Sequence, residues 1–255
     1  MDDVPLPAGR MSHGIVRQGD TVRRPMGEWS PTVHTVLTHL ESVGFVGAPR
    51  FVGVSEGSEL LQYISGDVPQ DPSWVPGSGL CFPDYAQSDD VLTDLGTMLR
   101  ASHSATENLK IADAQFRFSE RKSKLPGEVI SHGDLGPWHT VYRSGCPVAF
   151  IDWDSVQPMD RLVDLALAAW SFVPLGPVCV LEPAGLHSVE DQERRLDRLL
   201  ESYGTVDTEL FAEALRQAKL ESVKRVRYWP VGSAETSTLL THAANELNWL
   251  DGFLR

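Results

Sequence analysis

The sequence predicts an α+β chain, with a small sheet-rich N-terminal part followed by a larger, mostly helical C-terminal part. Three observations carry this. Short runs with strand chemistry flank a single amphipathic helix between residues 10 and 64. A Pro-, Gly- and Ser-rich stretch at residues 65–86 then breaks the chain. From residue 87 onward apolar residues recur at helical spacing, with one strand-and-loop interruption near residues 128–158.

Residues 1–10 carry Pro and Gly and are expected to be loose. His13–Arg17 and Thr21–Pro25 read as strands, and Gln18-Gly19-Asp20 between them has hairpin chemistry. Ser30-Pro31 opens a helix, with serine at the cap and proline in the first turn. Val33, Val36, Leu37 and Leu40 share one face of it, and Gly44 closes it. Two more strands are expected around residues 50–54 and 59–64, turning at Ser55-Glu56-Gly57-Ser58. The next helix spans about 87–106 with Val91, Leu92, Leu95, Met98 and Leu99 on one face. Residues 107–127 look irregular and polar. Residues 160–172 form a helix with an almost wholly apolar inner side, as a central helix requires. Amphipathic segments near 188–203, 207–229 and 234–254 complete the chain.

Bulk properties exclude some functions. Thirty-five acids against 22 bases give a formal net charge of −13, which argues against nucleic acid as a partner because phosphate binding needs a basic face. The same charge serves solubility, or steers a cationic substrate toward a cleft. No apolar run approaches the roughly 20 residues of a membrane span. The N-terminal residues have no apolar core of the secretory type. Cys81, Cys146 and Cys179 are widely spaced and outside any C-x-x-C pattern, so reduced thiols in a cytoplasmic protein are expected. The oligomeric state is open.

The chemistry concentrates after residue 130. His132-Gly133-Asp134 is followed by His139, then by a short strand pair ending in Ile151-Asp152-Trp153-Asp154. Phosphoryl transfer needs a carboxylate near the acceptor hydroxyl, a metal-side group, and a further carboxylate that holds Mg²⁺ against the phosphates. The pattern H-G-D-x-x-x-x-H with a downstream I-D-W-D has the spacing of the kinase catalytic loop, H-R-D-x-x-x-x-N, and its Asp-led metal motif.

These residues, with Asp160-Arg161-Leu162-Val163-Asp164-Leu165-Ala166 behind them, resemble the aminoglycoside phosphotransferase and choline-kinase-like family. The resemblance runs from about residue 10 to the C-terminus and is strongest over 130–170. It implies a bilobal protein-kinase-like fold: an N-lobe at 1–64, a hinge or crossover at 65–86, and a helical C-lobe at 87–255 with the catalytic loop within 130–154. It also implies ATP as cofactor, with GTP open, and Mg²⁺, with Mn²⁺ as the other candidate.

On this reading Asp134 accepts or orients the substrate hydroxyl proton. Asp152, at the end of the apolar run Val148–Ile151, is the metal carboxylate. His132, Asp154 and Asp164 support the site. His139 stands where the family carries Asn, and imidazole is a softer ligand than an amide oxygen. Three outcomes stay open there: a weakened metal site, a changed metal preference, or lost catalysis. The resemblance also implies a basic residue on the strand before the first helix. Arg23 and Arg24 both occupy it, alternation lets only one face the cleft, and Arg23 is preferred. The helix acid that pairs with this base in the family is not evident, since Val33 and His34 stand in its place. Gln62 and Ile64 are expected at the adenine-binding hinge, and residues 9–14 could cover phosphates through backbone N–H groups. Of the tryptophans flanking the cleft (Trp29, Trp74, Trp138, Trp153), Trp138 is the candidate substrate wall.

Two functions follow. One is an ATP-dependent kinase of a small hydroxylated molecule, with an aminoglycoside, another antibiotic or another cationic alcohol as candidates. The other is a nucleotide- or ligand-binding pseudo-enzyme on the same fold, motivated by His139 and the missing helix acid.

Overall fold

The computed structural model describes residues 3–7, 13–70, 81–228 and 232–254. Part of the expected phosphate-covering loop at 9–14, Trp74 and much of the 65–86 crossover lie outside these residues.

Five antiparallel strands form the N-terminal sheet: β1 (Val4–Pro5), β2 (Val16–Gln18), β3 (Thr21–Pro25), β4 (Phe51–Ser55) and β5 (Ser58–Gln62), ordered β1-β2-β3-β5-β4. β1 corrects the expectation of a loose N-terminus, because Val4 and Pro5 pair with Arg17 and Val16. The β4–β5 turn is tight. Glu56 and Gly57 both have positive φ (51° and 74°), the conformation a two-residue hairpin needs to match strand twist. Helix α1 (Ser30–Ser42) connects β3 to β4. Ser30 turns its hydroxyl back to the Gly27 N–H at 3.0 Å rather than capping the turn ahead.

The C-terminal part is helical around a small cluster of strands. Short α2 (Asp84–Gln87) precedes α3 (Asp89–Thr106), and the irregular segment 107–128 leads to β6 (Val129–Ser131). A hairpin of β7 (Thr140–Arg143) and β8 (Cys146–Phe150) follows, then β9 (Gln157–Met159), which pairs antiparallel with β6. Helices α4 (Arg161–Phe172), α5 (Val178–Leu181), α6 (Val189–Tyr203), α7 (Thr208–Arg225) and α8 (Ser233–Phe253) complete it. Asp160 caps α4 through the Leu162 N–H, and Asp207 caps α7 through Glu209 and Leu210. The short β6–β9 ladder and α5 were not legible as regular elements in the sequence.

One apolar core joins the two parts. Val33, Val36, Leu37 and Leu40 of α1 belong to the same buried cluster as Leu92, Leu95 and Leu99 of α3 and Leu165–Ala169 of α4. Gly96 lets α3 approach α6 closely, since a Cβ there would meet the Leu199 carbonyl at 2.7 Å and the Ser202 side chain. The β6–β9 ladder stands on this packed base and carries the 132–155 loops.

Candidate active site

The loop after β6 is pinned from three sides. His132 is buried and donates from Nε2 to the Ile151 carbonyl at 2.9 Å, which ties the loop to the end of β8. Burial, and then the nearby charge of His139, pull the His132 imidazole down to about 4, so it stays neutral. Gly133 has φ +78°, and a Cβ there would sit 2.5 Å from the Ser155 carbonyl. Fully buried Asp164 accepts the Gly133 N–H at 3.3 Å and binds His103 Nε2 at 3.0 Å. His103 in turn meets the Tyr203 hydroxyl at 2.8 Å. This chain runs from α6 through α3 and α4 to the loop. It leaves the Asp134 side chain 36% exposed at the opening.

The β7–β8 hairpin brings the second carboxylate back beside the first. The Ile151 N–H donates to the His139 carbonyl at 2.9 Å, and Asp152 follows in the left-handed region (φ 60°, ψ 59°). A non-glycine residue there costs free energy and is held only where its surroundings enforce it. His139 lies between the two acids: Nδ1 is 3.7 Å from Asp134 Oδ2 and Nε2 is 3.4 Å from Asp152 Oδ2. The His139 Nδ1 also donates to the Asp134 carbonyl at 2.8 Å.

This hydrogen bond decides what His139 can do. A carbonyl only accepts, so Nδ1 carries a proton and the neutral ring presents an Nε2 lone pair to the Asp152 carboxylate. Two lone-pair donors at 3.4 Å need something positive between them. A proton is one solution: burial opposes it, but the hydrogen bond to Asp152 and the charges of Asp152 and Asp134 outweigh burial and raise His139 to about 9. A divalent cation is the other, with the ring held by its second nitrogen as metal-ligating histidines are. Asp152 and His139 therefore fit such an ion. Among the described residues no three His, Cys, Asp or Glu side chains form a metal cluster, so this pair would supply two protein ligands and leave the other positions to water or a bound ligand.

The N-terminal sheet contributes Arg24, not Arg23. Arg23 lies on the opposite face and pairs with Asp3 at 3.0 Å. Arg24 stands directly across from Glu59 in the β3–β5 register, and cross-strand partners share a face. Its Nε meets Glu59 at 2.5 Å, Nη1 meets Asp152 at 3.0 Å, and Nη2 meets Asp154 at 2.6 Å. The Arg24 side chain is only 7% exposed. Burial disfavours its charge, but Asp154, Asp152 and Glu59 outweigh this and raise it above the ordinary arginine value. Asp152 is correspondingly held well below the usual carboxylate range, against the opposing pull of burial, by His139 and Arg24.

The acid missing from α1 is thereby located. Glu59 on β5 pairs with Arg24, while His34 on α1 binds the other Glu59 oxygen at 2.5 Å and stacks on Phe51. The strand supplies the acid and the helix supplies the group that orients it. Two further arginines were not anticipated. Arg117, in the irregular segment, meets Asp154 at 2.9 Å. Arg225, near the end of α7, bonds the Gly133 carbonyl, lies 3.4 Å from Asp134 Oδ1, and donates to Ser155 Oγ at 2.8 Å.

One other expectation shifts. The Gln62 N–H is spent inside the sheet on the Arg50 carbonyl at 2.8 Å, leaving Ile64 as the hinge candidate of that pair. Trp138 packs in a satellite cluster with Phe82, Ala86, Val91 and Tyr142. Its ring also meets His139 edge-on at 6.1 Å, and Phe118 lies under Arg225 at 4.9 Å, so both aromatic side chains border the surroundings of Asp134.

The model of the phosphotransferase enzyme family matches residues 102–184. The trifolitoxin immunity protein of Rhizobium leguminosarum bv. trifolii is 34% identical over 208 residues, covering 80% of this chain and 74% of that protein. The chain belongs to the phosphotransferase enzyme family. Its fold is that of the protein-kinase-like phosphotransferases. An ADP-bound aminoglycoside phosphotransferase, APH(2″)-Ib, superposes with a TM-score of 0.56 at 14% identity, over 97% of this chain and 94% of that one. The Plasmodium vivax ethanolamine kinase gives a TM-score of 0.56 at 13% identity, over 94% and 80% respectively. No helix among the described residues is long and apolar enough to cross a membrane.

Proposed function

We propose that the chain transfers the γ-phosphoryl group of ATP, or of GTP, to a hydroxyl of a small molecule. The observation that carries this is the placing of Asp134 and Asp152 on either side of His139, at 3.7 and 3.4 Å, with Asp134 open and Asp152 turned toward Arg24. The acceptor hydroxyl would hydrogen-bond to Asp134. As its oxygen forms a bond to the γ-phosphorus and the bond to the β–γ bridging oxygen breaks, its proton passes to Asp134 and the nucleoside diphosphate leaves. A divalent ion held by Asp152 and His139 would neutralise charge on the phosphate oxygens. Arg24 would grip the phosphates after exchanging one of its carboxylate partners, and Ile64 would offer backbone groups to the base.

The trifolitoxin immunity protein carries a toxin in its name, and several solved neighbours are antibiotic phosphotransferases. Both support an antibiotic or toxin bearing a hydroxyl as the acceptor class. A nucleotide-dependent reaction and cysteines outside disulfides fit a cytoplasmic setting.

The pseudo-enzyme reading is favoured by one feature: Arg24 is already bonded to three carboxylates. Measuring ATP consumption with Mg²⁺ or Mn²⁺ against a panel of hydroxylated antibiotics, peptides and metabolites separates the two. Acceptor-dependent ADP release that disappears in Asp134→Asn supports the kinase; nucleotide binding without turnover on any acceptor supports the pseudo-enzyme.

A further inference from the structure

We infer that Arg225 sets the charge of the acceptor: the hydroxyl presented to Asp134 belongs to a molecule that also carries a carboxylate or other oxyanion, held against the Arg225 guanidinium. The inference rests on the phosphotransferase reading and names its substrate class.

The two oxygens of Asp134 look in different directions. Oδ2 faces His139, on the side of Asp152 and Arg24, whereas Oδ1 faces Arg225 at 3.4 Å. An acceptor oxygen hydrogen-bonded to Oδ1 at about 2.7 Å therefore lies within about 6 Å of the guanidinium. Arg225 is not free to withdraw. Its Nη1 is bonded to the Gly133 carbonyl, its Nη2 to Ser155 Oγ, and its face rests on Phe118. The side chain is only 11% exposed, and among the described residues its buried Nε has no hydrogen-bond partner.

The charge balance points the same way. Gly133 and Ser155 are neutral partners, so among the described residues Asp134 is the one carboxylate paired with Arg225, and at a distance too long for a strong hydrogen bond. When Asp134 takes the acceptor proton, that compensation is lost. An oxyanion on the acceptor restores it with charge-assisted hydrogen bonds, whereas an ammonium group adds a like charge in a partly dehydrated site. Arg117 also lies over the Phe118 ring, at 5.2 Å, but its charge is paired with Asp154 at 2.9 Å, which leaves Arg225 as the cation beside Asp134 Oδ1. Tyr228 meets that ring edge-on at 5.6 Å and extends the aromatic surface. The chain's net charge of −13 acts against an anion only at long range, and salt screens it beyond roughly 8 Å.

The test uses charge-opposed pairs on one skeleton, such as 4-(hydroxymethyl)benzoate against 4-(hydroxymethyl)benzylamine. Turnover with ATP and metal, and calorimetric binding in the presence of ADP, are measured for the full chain and for Arg225→Gln and Arg225→Lys, with melting curves to verify folding. The wild type should favour the acid in kcat/KM or in affinity by on the order of tenfold or more. Arg225→Gln should erase that preference, and Arg225→Lys, which keeps the charge, should retain it. A purely structural arginine would lower both members of the pair equally. Preference for the amine, an unchanged ratio in Arg225→Gln, or no binding of the acid overturns the inference. Acid-selective binding without turnover on any acceptor would instead overturn the phosphotransferase reading and leave the acceptor's charge assigned.

Discussion

The two carboxylate centres of the site are built on opposite plans. Asp152 and Asp154 are gripped by arginines at 2.6–3.0 Å, on a sheet and hairpin that hold Arg24 almost fully buried, and Asp154 is itself only 11% exposed while Asp152 keeps 29% of its side chain open. Asp134 stands at the opening, and its nearest cations, Arg225 and His139, stay at 3.4 and 3.7 Å. A buried ion pair with short contacts stabilises geometry, because removing one partner strands the other in a poorly solvated place. A loosely held, exposed carboxylate contributes little to folding and remains available to a ligand. The first centre is therefore expected to reveal itself in stability, and the second in turnover.

The largest effect should come from the open centre. Asp134→Asn is expected to lower acceptor-dependent turnover by about 10²–10⁴-fold, the usual worth of a positioned base, with little change in melting temperature. Steady-state rates and a melt on the same preparation check both halves. Retained turnover would remove Asp134 from the proton's path.

The closed centre should respond in the other currency. Arg24→Ala leaves Glu59, Asp152 and Asp154 without their shared cation and should destabilise the fold by about 3–5 kcal/mol. Arg23→Ala removes only a half-exposed pair with Asp3 and should cost less than about 1 kcal/mol. Chemical denaturation of both variants ranks them. Equal losses would break the contrast between the two strand faces.

The two histidines sharpen the comparison through pH. His132 is depressed from 6.5 to about 4, so the unfolded state takes its proton first. Its contribution is whole above pH 6.5 and is lost as pH falls toward 4. His139 is raised from 6.5 to about 9, so its contribution is whole below pH 6.5 and is lost as pH rises through 9. Metal-free stability should therefore peak near neutrality. His139→Asn should flatten the alkaline limb between pH 6.5 and 9 and shorten the acid limb without removing it, since burial is the larger cause of the His132 depression and the charge of His139 the lesser, as read by urea midpoints across pH 4–9.5.

What the sequence disclosed follows the same division. Asp134, His139 and Asp152 are local: one loop and one short hairpin connect them, so spacing alone brought them together. Arg24 against Arg23 was a choice between two faces of one strand, settled by the register that sets Arg24 opposite Glu59. Reading β3 and β5 as neighbours would have exposed the pair, since Glu59 is the one acid of β5. Arg117 and Arg225 left no such trace. One comes from an irregular segment, and the other from a helix 91 residues beyond Asp134, where no periodicity marks its target. β2 and β3 were legible through the turn chemistry of Gln18-Gly19-Asp20 between them, the β4–β5 hairpin through Glu56-Gly57, and α1 and the long helices because their apolar spacing repeats several times. β1 and the β6–β9 ladder, at two and three residues a strand, are too short to show one.

The smallest effect expected on activity is also the one that separates the remaining roles of His139. If the imidazole serves the metal, it should favour a borderline ion such as Mn²⁺ over Mg²⁺, and the ion must displace the proton that Asp152 and Asp134 hold on the ring. Affinity should then climb as pH rises toward 9. His139→Asn replaces the ring with a hard amide oxygen that carries no proton at Nε2. It should shift the Mn²⁺-to-Mg²⁺ activity ratio toward Mg²⁺ by on the order of tenfold and remove the alkaline rise. Activity with each ion from pH 5.5 to 9, in wild type and variant, measures both. Superimposable profiles and equal ratios would mean that His139 only carries charge between the two carboxylates, leaving Asp152 as the protein's sole link to the ion.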